Sequence, residues 1–182
     1  MVSNSCMRIV KEELSRTGFI QVHHVELGKA EISFDSQLIN ANGIHVILQR
    51  SGFALISDKD SQLVEQIKTS VIQFIFYGNN VNSLIRNSDF LSEKLGHHYT
   101  HLSKIFSEKT GTTLEKYIIL IKIERIKELI SYDEMTLSEV SYQMGYSSVQ
   151  YLSNQFKQIT GYSVSEYKVQ FRNDRRPLSS II

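Results

Sequence analysis

An internal repeat is the feature of this sequence that most constrains its fold. The stretch from residue 91 to residue 111 reads LSEKLGHHYTHLSKIFSEKTG, and it aligns with VSYQMGYSSVQYLSNQFKQITG, which spans residues 140–161. The matched residues lie 49 positions apart in the first pair and 50 in the others: Gly96 with Gly145, Leu102 with Leu152, Phe106 with Phe156, and Gly111 with Gly161. Apolar residues at helical spacing on both sides of a glycine predict a helix, a turn and a second helix, so the chain carries this unit twice.

The sequence around the repeat also favours helix. The single proline is Pro177, so none interrupts residues 61–168. Ser61 is the expected N-cap of the first helix there, and Thr136 with Glu139 has the spacing of a capping box. Apolar periodicity and glycine stops predict helices at 61–78, 89–96, 100–110, 114–130, 136–144, 148–160 and from 163 to about 172. The apolar residues of the 114–130 helix cover more than one face, which predicts burial on two sides.

The first 57 residues have a different pattern. Two β-rich stretches, FIQVHHVEL and KAEISF, flank Gly28 and predict a hairpin. We expect one amphipathic helix before the hairpin, a second helix at about 36–50, and a further strand at GFALIS. The predicted fold class is therefore mostly α: a small α+β segment over 1–57, followed by an all-helical double helix–turn–helix domain over 58–182.

Composition narrows the functional classes. The 182 residues include one cysteine and carry a formal net charge of +1, so charge alone points neither to nucleic acid nor to membrane. No apolar run reaches the ~20 residues needed to span a bilayer, and we expect a cytoplasmic protein without a membrane partner. No Ser/His/Asp set, glycine-rich phosphate loop or paired carboxylate cluster occurs at a meaningful spacing, so the sequence predicts no enzyme.

The outward faces of the second helices of the two units suggest what they contact. Each of these helices buries a leucine and a phenylalanine four residues apart, which leaves the opposite face free. That face carries Thr100, Ser103, Lys104 and Ser107 in the first unit, and Ser148, Gln150, Tyr151, Asn154 and Lys157 in the second. Such side chains hydrogen-bond base edges, and two helices of this kind could enter successive major grooves of duplex DNA. A helical module that binds a protein partner without DNA is the alternative.

The second unit resembles the AraC/XylS family of bacterial transcription regulators. The similarity lies in GYSSVQYLSNQFKQITGYSVSEYK and in the linker KIERIKELI, and it covers residues 61–172. Val164 stands where the family commonly has proline, and Leu152 where it often has phenylalanine. The resemblance implies a regulator, usually an activator, with double-stranded DNA and RNA polymerase as partners and a homodimer as a possible state.

The resemblance also implies roles for individual residues. The base-reading positions would be Thr100, Ser103, Lys104, Gln150 and Asn154. The phosphate contacts would be Tyr99, Ser147, Ser148 and Lys157, with further tail contacts from Arg172, Arg175 and Arg176. No cofactor is expected from this part of the chain.

The N-terminal segment resembles the ferredoxin-like, heavy-metal-associated domain of copper carriers. Met1-x-Ser3-x-x-Cys6 is similar to that family's metal motif, although Ser3 replaces a cysteine and no first strand precedes the motif. A soft metal such as Cu(I) prefers thiolates, so Cys6 is the one candidate ligand, and a metal-responsive regulator is a second alternative. A sheet that lacks one strand would leave an edge open to another chain. His23 and His24, adjacent on a strand, would face opposite sides and not share a site.

Overall fold

The structure of the protein, a computed structural model, describes residues 3–78, 87–170 and 177–181. Helices dominate these residues, and the strands form a single two-stranded sheet, which confirms the predicted mostly-α class. The chain divides into two compact units, Met1–Thr69 and Ser70–Ile182, and the division lies inside one helix. None of the described helices combines the length and the apolar character that crossing a lipid bilayer requires.

The N-terminal unit packs two helices against one face of a hairpin. Its elements are α1 (Asn4–Ser15), β1 (Ile20–Glu26), β2 (Lys29–Phe34) and α2 (Ala41–Arg50). The start of α1 is fixed by the hydroxyl of Ser3, which accepts a hydrogen bond from the backbone N–H of Cys6. The small core consists of Val10, Leu14, Ile20, Ile44 and Leu48.

A β-bulge changes the expected exposure of the two neighbouring histidines. The antiparallel pairing runs from Ile20 opposite Phe34 to Glu26 opposite Lys29, and its register shifts between Val22 and His24. The shift makes His23 an extra residue, so both His23 and His24 are exposed. The prediction that the two rings face opposite sides is therefore wrong, because strict alternation fails at a bulge.

Two predicted elements of this unit differ from the structure. The stretch GFALIS is a turn followed by extended chain without strand pairing, because other groups take its hydrogen bonds. The N–H of Phe53 donates to the carbonyl of Leu48, and the N–H of Leu55 donates to Nδ1 of His45. The second helix begins at Ala41 instead of residue 36, since the side chain of Asn40 caps it.

The remaining helices begin with α3 (Lys59–Phe76), which contains the division between the units. Its predicted N-cap, Ser61, is wrong, because the carboxylate of Asp58 accepts the Ser61 N–H at 3.0 Å and so caps the helix three residues earlier. The helices that follow are α4 (Asn87–Leu95), α5 (Tyr99–Thr110), α6 (Leu114–Tyr132), α7 (Leu137–Gln143), α8 (Val149–Thr160) and α9 (Val164–Gln170).

The repeat seen in the sequence is a repeat in three dimensions. The helix pairs α4–α5 and α7–α8 form the two helix–turn–helix units, and the turn glycines Gly96 and Gly145 both have φ of +68°. The paired leucines and phenylalanines, Leu102, Leu152, Phe106 and Phe156, are each 0% exposed. They sit on the inner side of α5 and α8, as the sequence predicts.

The structural repeat extends beyond the aligned segment. The ring of Phe106 packs against Tyr117 at 5.2 Å between centroids, and fifty residues later Phe156 packs against Tyr167 at 5.3 Å. The hydroxyls of Thr110 and Thr160 donate to the carbonyls of those same phenylalanines. α5 and α8 therefore end in the same way, and the helix after each one carries the aromatic ring that closes its core.

α6 is buried on more than one side, as its apolar pattern predicts. Both helix–turn–helix units pack on α6, the first through α5 and the second through α7 and α8. Its charged residues Glu124 and Lys127 are also buried, and Lys127 donates to Glu124 across 2.8 Å. A buried pair of this kind contributes little net free energy, but removing one partner would leave a charge without compensation.

We predict that Gly145→Val destabilises the protein by about 1–2 kcal/mol. Gly145 has a left-handed backbone, which costs an L-residue roughly this much and disfavours β-branched side chains most. Urea unfolding of the wild type and the variant measures the difference. Gly145→Asn is the control, because asparagine tolerates this backbone, and it should fall between the two. Equal stability of Gly145→Val and the wild type would contradict the backbone assignment.

The capping boxes of α7 and α9 predict an acid-sensitive fold. The Thr136 hydroxyl donates to Glu139, and together with the Thr136 N–H it holds the pKa of that carboxyl below its ordinary value of 4.5. Ser163 lowers the pKa of Glu166 in the same way. Because the folded pKa is the lower one, this stabilisation is complete above about pH 4.5 and is lost as the pH falls below it.

Urea unfolding at a series of pH values between 3 and 7 tests this prediction. We expect the free energy of unfolding to fall on acidification below about pH 4.5, and Glu139→Gln to make that fall shallower, since glutamine does not titrate. Glu134→Gln, a matched change at an exposed residue outside either capping box, should leave the profile unchanged. Identical profiles for Glu139→Gln and the wild type would rule out the proposed contribution of this capping box.

Candidate nucleic-acid interface

The outward face of α5 carries the base-reading residues predicted for the first unit. Thr100 and Lys104 are exposed one turn apart, and Ser103 beside them is half-buried. The Lys104 ammonium lies 3.9 Å from Glu108 on the same helix, which is a loose surface pair that solvent screens. A DNA phosphate or base could therefore displace this pair at little cost.

The outward face of α8 is dominated by two amides. Gln150 and Asn154 are both exposed, and Nε2 of Gln150 donates to Oδ1 of Asn154 at 3.0 Å. This hydrogen bond aligns the two side chains along one face of the helix. It uses neither the amide N–H₂ group of Asn154 nor the carbonyl oxygen of Gln150. Amide side chains of this type pair with adenine through one donor and one acceptor.

The predicted phosphate contacts of the second helix–turn–helix unit lie at the start of α8 and in its last turn. Ser147 and Ser148 are exposed, and the Ser148 hydroxyl caps α8 by accepting the N–H of Tyr151 at 3.1 Å. That hydroxyl keeps its own proton for another acceptor. Lys157 is exposed in the last turn of the helix. Backbone N–H groups and the helix dipole make a helix N-terminus suited to an anion.

Tyr99 is a predicted phosphate contact whose hydroxyl is hydrogen-bonded to a side chain of another helix. It is the first residue of α5 and half-buried, and its hydroxyl donates to Oε1 of Glu115 on α6 at 2.9 Å. Burial, reinforced by this hydrogen bond, raises the pKa of Tyr99 well above its usual range. To donate to a phosphate, the hydroxyl would have to leave Glu115.

A cleft of about 390 Å³ lies between the N-terminal ends of α5 and α8, with α6 as its floor. Tyr99 stands on one side, and Tyr151 and Gln155 stand on the other. The first turns of α5 and α8 therefore lie beside the same cleft. Its lining residues are Asn87, Ser88, Tyr99, Glu115, Ile118, Ile119, Lys122, Gly145, Tyr146, Tyr151 and Gln155.

Lys122 on the cleft floor is a residue that sequence reasoning missed. Its ammonium donates to the carbonyl of Met144 at 3.0 Å and lies 5.4 Å from the ring centre of Tyr146. Burial lowers the pKa of Lys122 and raises that of Tyr146 to about 12. The Tyr146 hydroxyl donates to Gln155 at 2.6 Å, so a chain of contacts runs from α6 to α8. The available signal was one cation within the apolar run IILIKI.

Histidine and cysteine side chains are the other groups that could bind a metal. His97 and His101, four residues apart, are both exposed, and their rings are tilted by 41° with centres 5.3 Å apart. Cys6 is half-buried in the first turn of α1, where its sulfur lies 3.3 Å from the Ser3 hydroxyl. Across residues 3–78, 87–170 and 177–181, no three His, Cys, Asp or Glu side chains are placed to share a metal. Soft-metal binding at Cys6 stays a prediction, and Met1, Arg172, Arg175 and Arg176 lie outside the described residues.

Comparison with known proteins finds a family model that is similar to the repeat. A family model described as a helix-turn-helix domain matches residues 91–170. The Msm operon regulatory protein of Streptococcus mutans is 27% identical over 92 residues, which are 50% of this chain and 33% of that protein. An uncharacterized HTH-type transcriptional regulator of Staphylococcus aureus is 31% identical over 78 residues, which are 43% of this chain and 10% of the regulator. The chain thus spans a third or less of the length of these relatives.

Among solved structures, the C-terminal domain of the two-component response regulator yesN from Fusobacterium nucleatum aligns at a TM-score of 0.46 and 22% identity. The alignment covers 61% of this chain and 99% of that domain. The family match spans α5 to α8 together with most of α4 and all of α9, which are the elements of the repeat. Over residues 91–170, this chain is thus similar to a family of helix-turn-helix domains.

Proposed function

We propose that this chain is a sequence-specific DNA-binding transcription regulator in which α5 and α8 each enter a major groove. One observation carries the proposal: two helices with the same internal anchoring begin beside one cleft and expose hydrogen-bonding side chains. The curated relatives bear names of transcriptional or operon regulators, which supports the same class. Thr100, Ser103 and Lys104 would read one block of bases, and Gln150 and Asn154 the other.

The phosphate contacts would fix the register of the two helices on the duplex. Ser147, Ser148 and Lys157 are exposed for this role, and Tyr99 would take part after release from Glu115. The protein would act in the cytoplasm, activate transcription through contact with RNA polymerase, and be able to form a homodimer. These partners follow from the resemblance to AraC/XylS regulators.

Selection of bound DNA from a random pool tests the proposal directly. We expect a recovered site with two short blocks about one helical turn apart, one for each helix. Affinity for that site should fall steeply with salt, because each neutralised phosphate releases counterions. A pool that shows no enrichment, together with a partner protein bound in a salt-independent way, would favour the interaction-module alternative.

Asn154→Ala tests the role of the amide pair. We expect it to lose discrimination at one or two base pairs of the second block, worth about 1–3 kcal/mol. Competition binding with single-base variants of the selected site measures this loss. Gln170→Ala, which removes an exposed amide from α9, is the control and should leave discrimination unchanged. Equal discrimination by Asn154→Ala and the wild type would show that Asn154 reads no base.

A further inference from the structure

Lys122 is a half-buried cation without a carboxylate of its own among the described residues. Its contacts are a carbonyl and an aromatic ring, whereas the neighbouring Lys127 and Arg125 on α6 pair with Glu124 and Glu128. Withdrawing an ammonium from water without an anion is unfavourable. One hydrogen bond to Met144 also leaves N–H donors of the ammonium for an additional acceptor. The chemistry of the site therefore calls for an anion.

The residues around Lys122 limit which kind of anion the cleft can bind. The cleft is open to solvent between the starts of α5 and α8, and its rim carries the phenol of Tyr151 and the amide of Gln155. Ile118 and Ile119, about one helical turn before Lys122 on α6, contribute apolar lining. A solvent-open cleft that presents one cation and a few hydrogen-bonding side chains suits a single phosphate group of an extended polymer.

Duplex DNA is an extended polymer with regularly spaced phosphate groups. Two helices in successive major grooves on one face enclose a single minor groove, which is bounded by two sugar-phosphate strands. Those strands must cross the protein surface that separates the two helices. In this protein, the cleft is lined by residues of both α5 and α8.

We propose that the DNA backbone between the two base-reading blocks crosses this cleft, where Lys122 binds a phosphate and Glu115 opposes it. The inference rests on the proposed function and adds a site outside both reading faces. Glu115 is exposed and lines the same cleft, so its carboxylate repels the strand that Lys122 attracts. Lys122 and Glu115 together set the part of the DNA affinity that does not depend on base sequence.

Neutral methylphosphonate linkages test which phosphates Lys122 contacts. They are placed one at a time in the selected site, between the two blocks and outside them. We expect at least one central linkage to weaken wild-type binding by about three- to tenfold, and to have no further effect in Lys122→Met. Lys122→Met itself should bind all sequences more weakly and reduce the slope of log K against log salt by about 1. Circular dichroism confirms that the variant is folded.

Glu115→Gln provides a test that misfolding cannot imitate, because it predicts a gain. Glutamine can still accept the Tyr99 hydrogen bond but carries no charge, so affinity for the selected site and for unrelated DNA should rise by about two- to fivefold. Glu134→Gln makes the same change in net charge at the other end of α6, away from the cleft, and should raise affinity by less.

The outcomes separate this inference from the proposed function. If DNA is selected but central methylphosphonates weaken Lys122→Met as much as the wild type, the cleft is not the crossing point. Equal gains from Glu115→Gln and Glu134→Gln would also overturn it. Competition by millimolar inorganic phosphate that is lost in Lys122→Met, without any effect of the central linkages, would assign the site to free phosphate. Failure to select any DNA would instead contradict the proposed function.

Discussion

The burial of α6 is the constraint on which the rest of the C-terminal unit depends. Both helix–turn–helix units use this one helix as part of their cores, and its side chains are buried from Leu114 to Ile130 on several faces. A helix advances 1.5 Å and turns 100° with each residue, so inserting or deleting one would rotate the second unit away from the first. The length of α6 therefore fixes the relation between the faces of α5 and α8.

Much of this unit could be predicted from sequence because local and tertiary preferences agree. The repeated Leu and Phe positions, the turn glycines and the Thr136 capping box each specify one local geometry, and the structure has all of them. The cleft could not be predicted. Glu115 and Lys122 come together with Tyr146 only because α6 and the second turn pack against each other, and such packing leaves no periodic signal in the sequence.

The N-terminal unit was less predictable for a related reason. Its hairpin and both helices follow the apolar pattern, but the expected strand at GFALIS is absent from the described structure. A strand needs a neighbour to pair with, and here the backbone of that stretch bonds Leu48 and His45 instead. The bulge at His23 has the same origin, since one inserted residue leaves β-propensity unchanged while it alters which face each side chain occupies.

The separation of the anchoring residues from the proposed base-reading residues on α5 and α8 has an evolutionary consequence. Leu152 and Phe156 are buried and hold α8 in place, whereas Gln150 and Asn154 are exposed and hydrogen-bonded to each other. Substitutions at the exposed pair are thus nearly neutral for folding, and they can accumulate without a stability barrier. Duplication then gives two such freely variable surfaces on one scaffold. Under the proposed function, a lineage would acquire new target genes by altering one half of its recognition while the other half still secured binding.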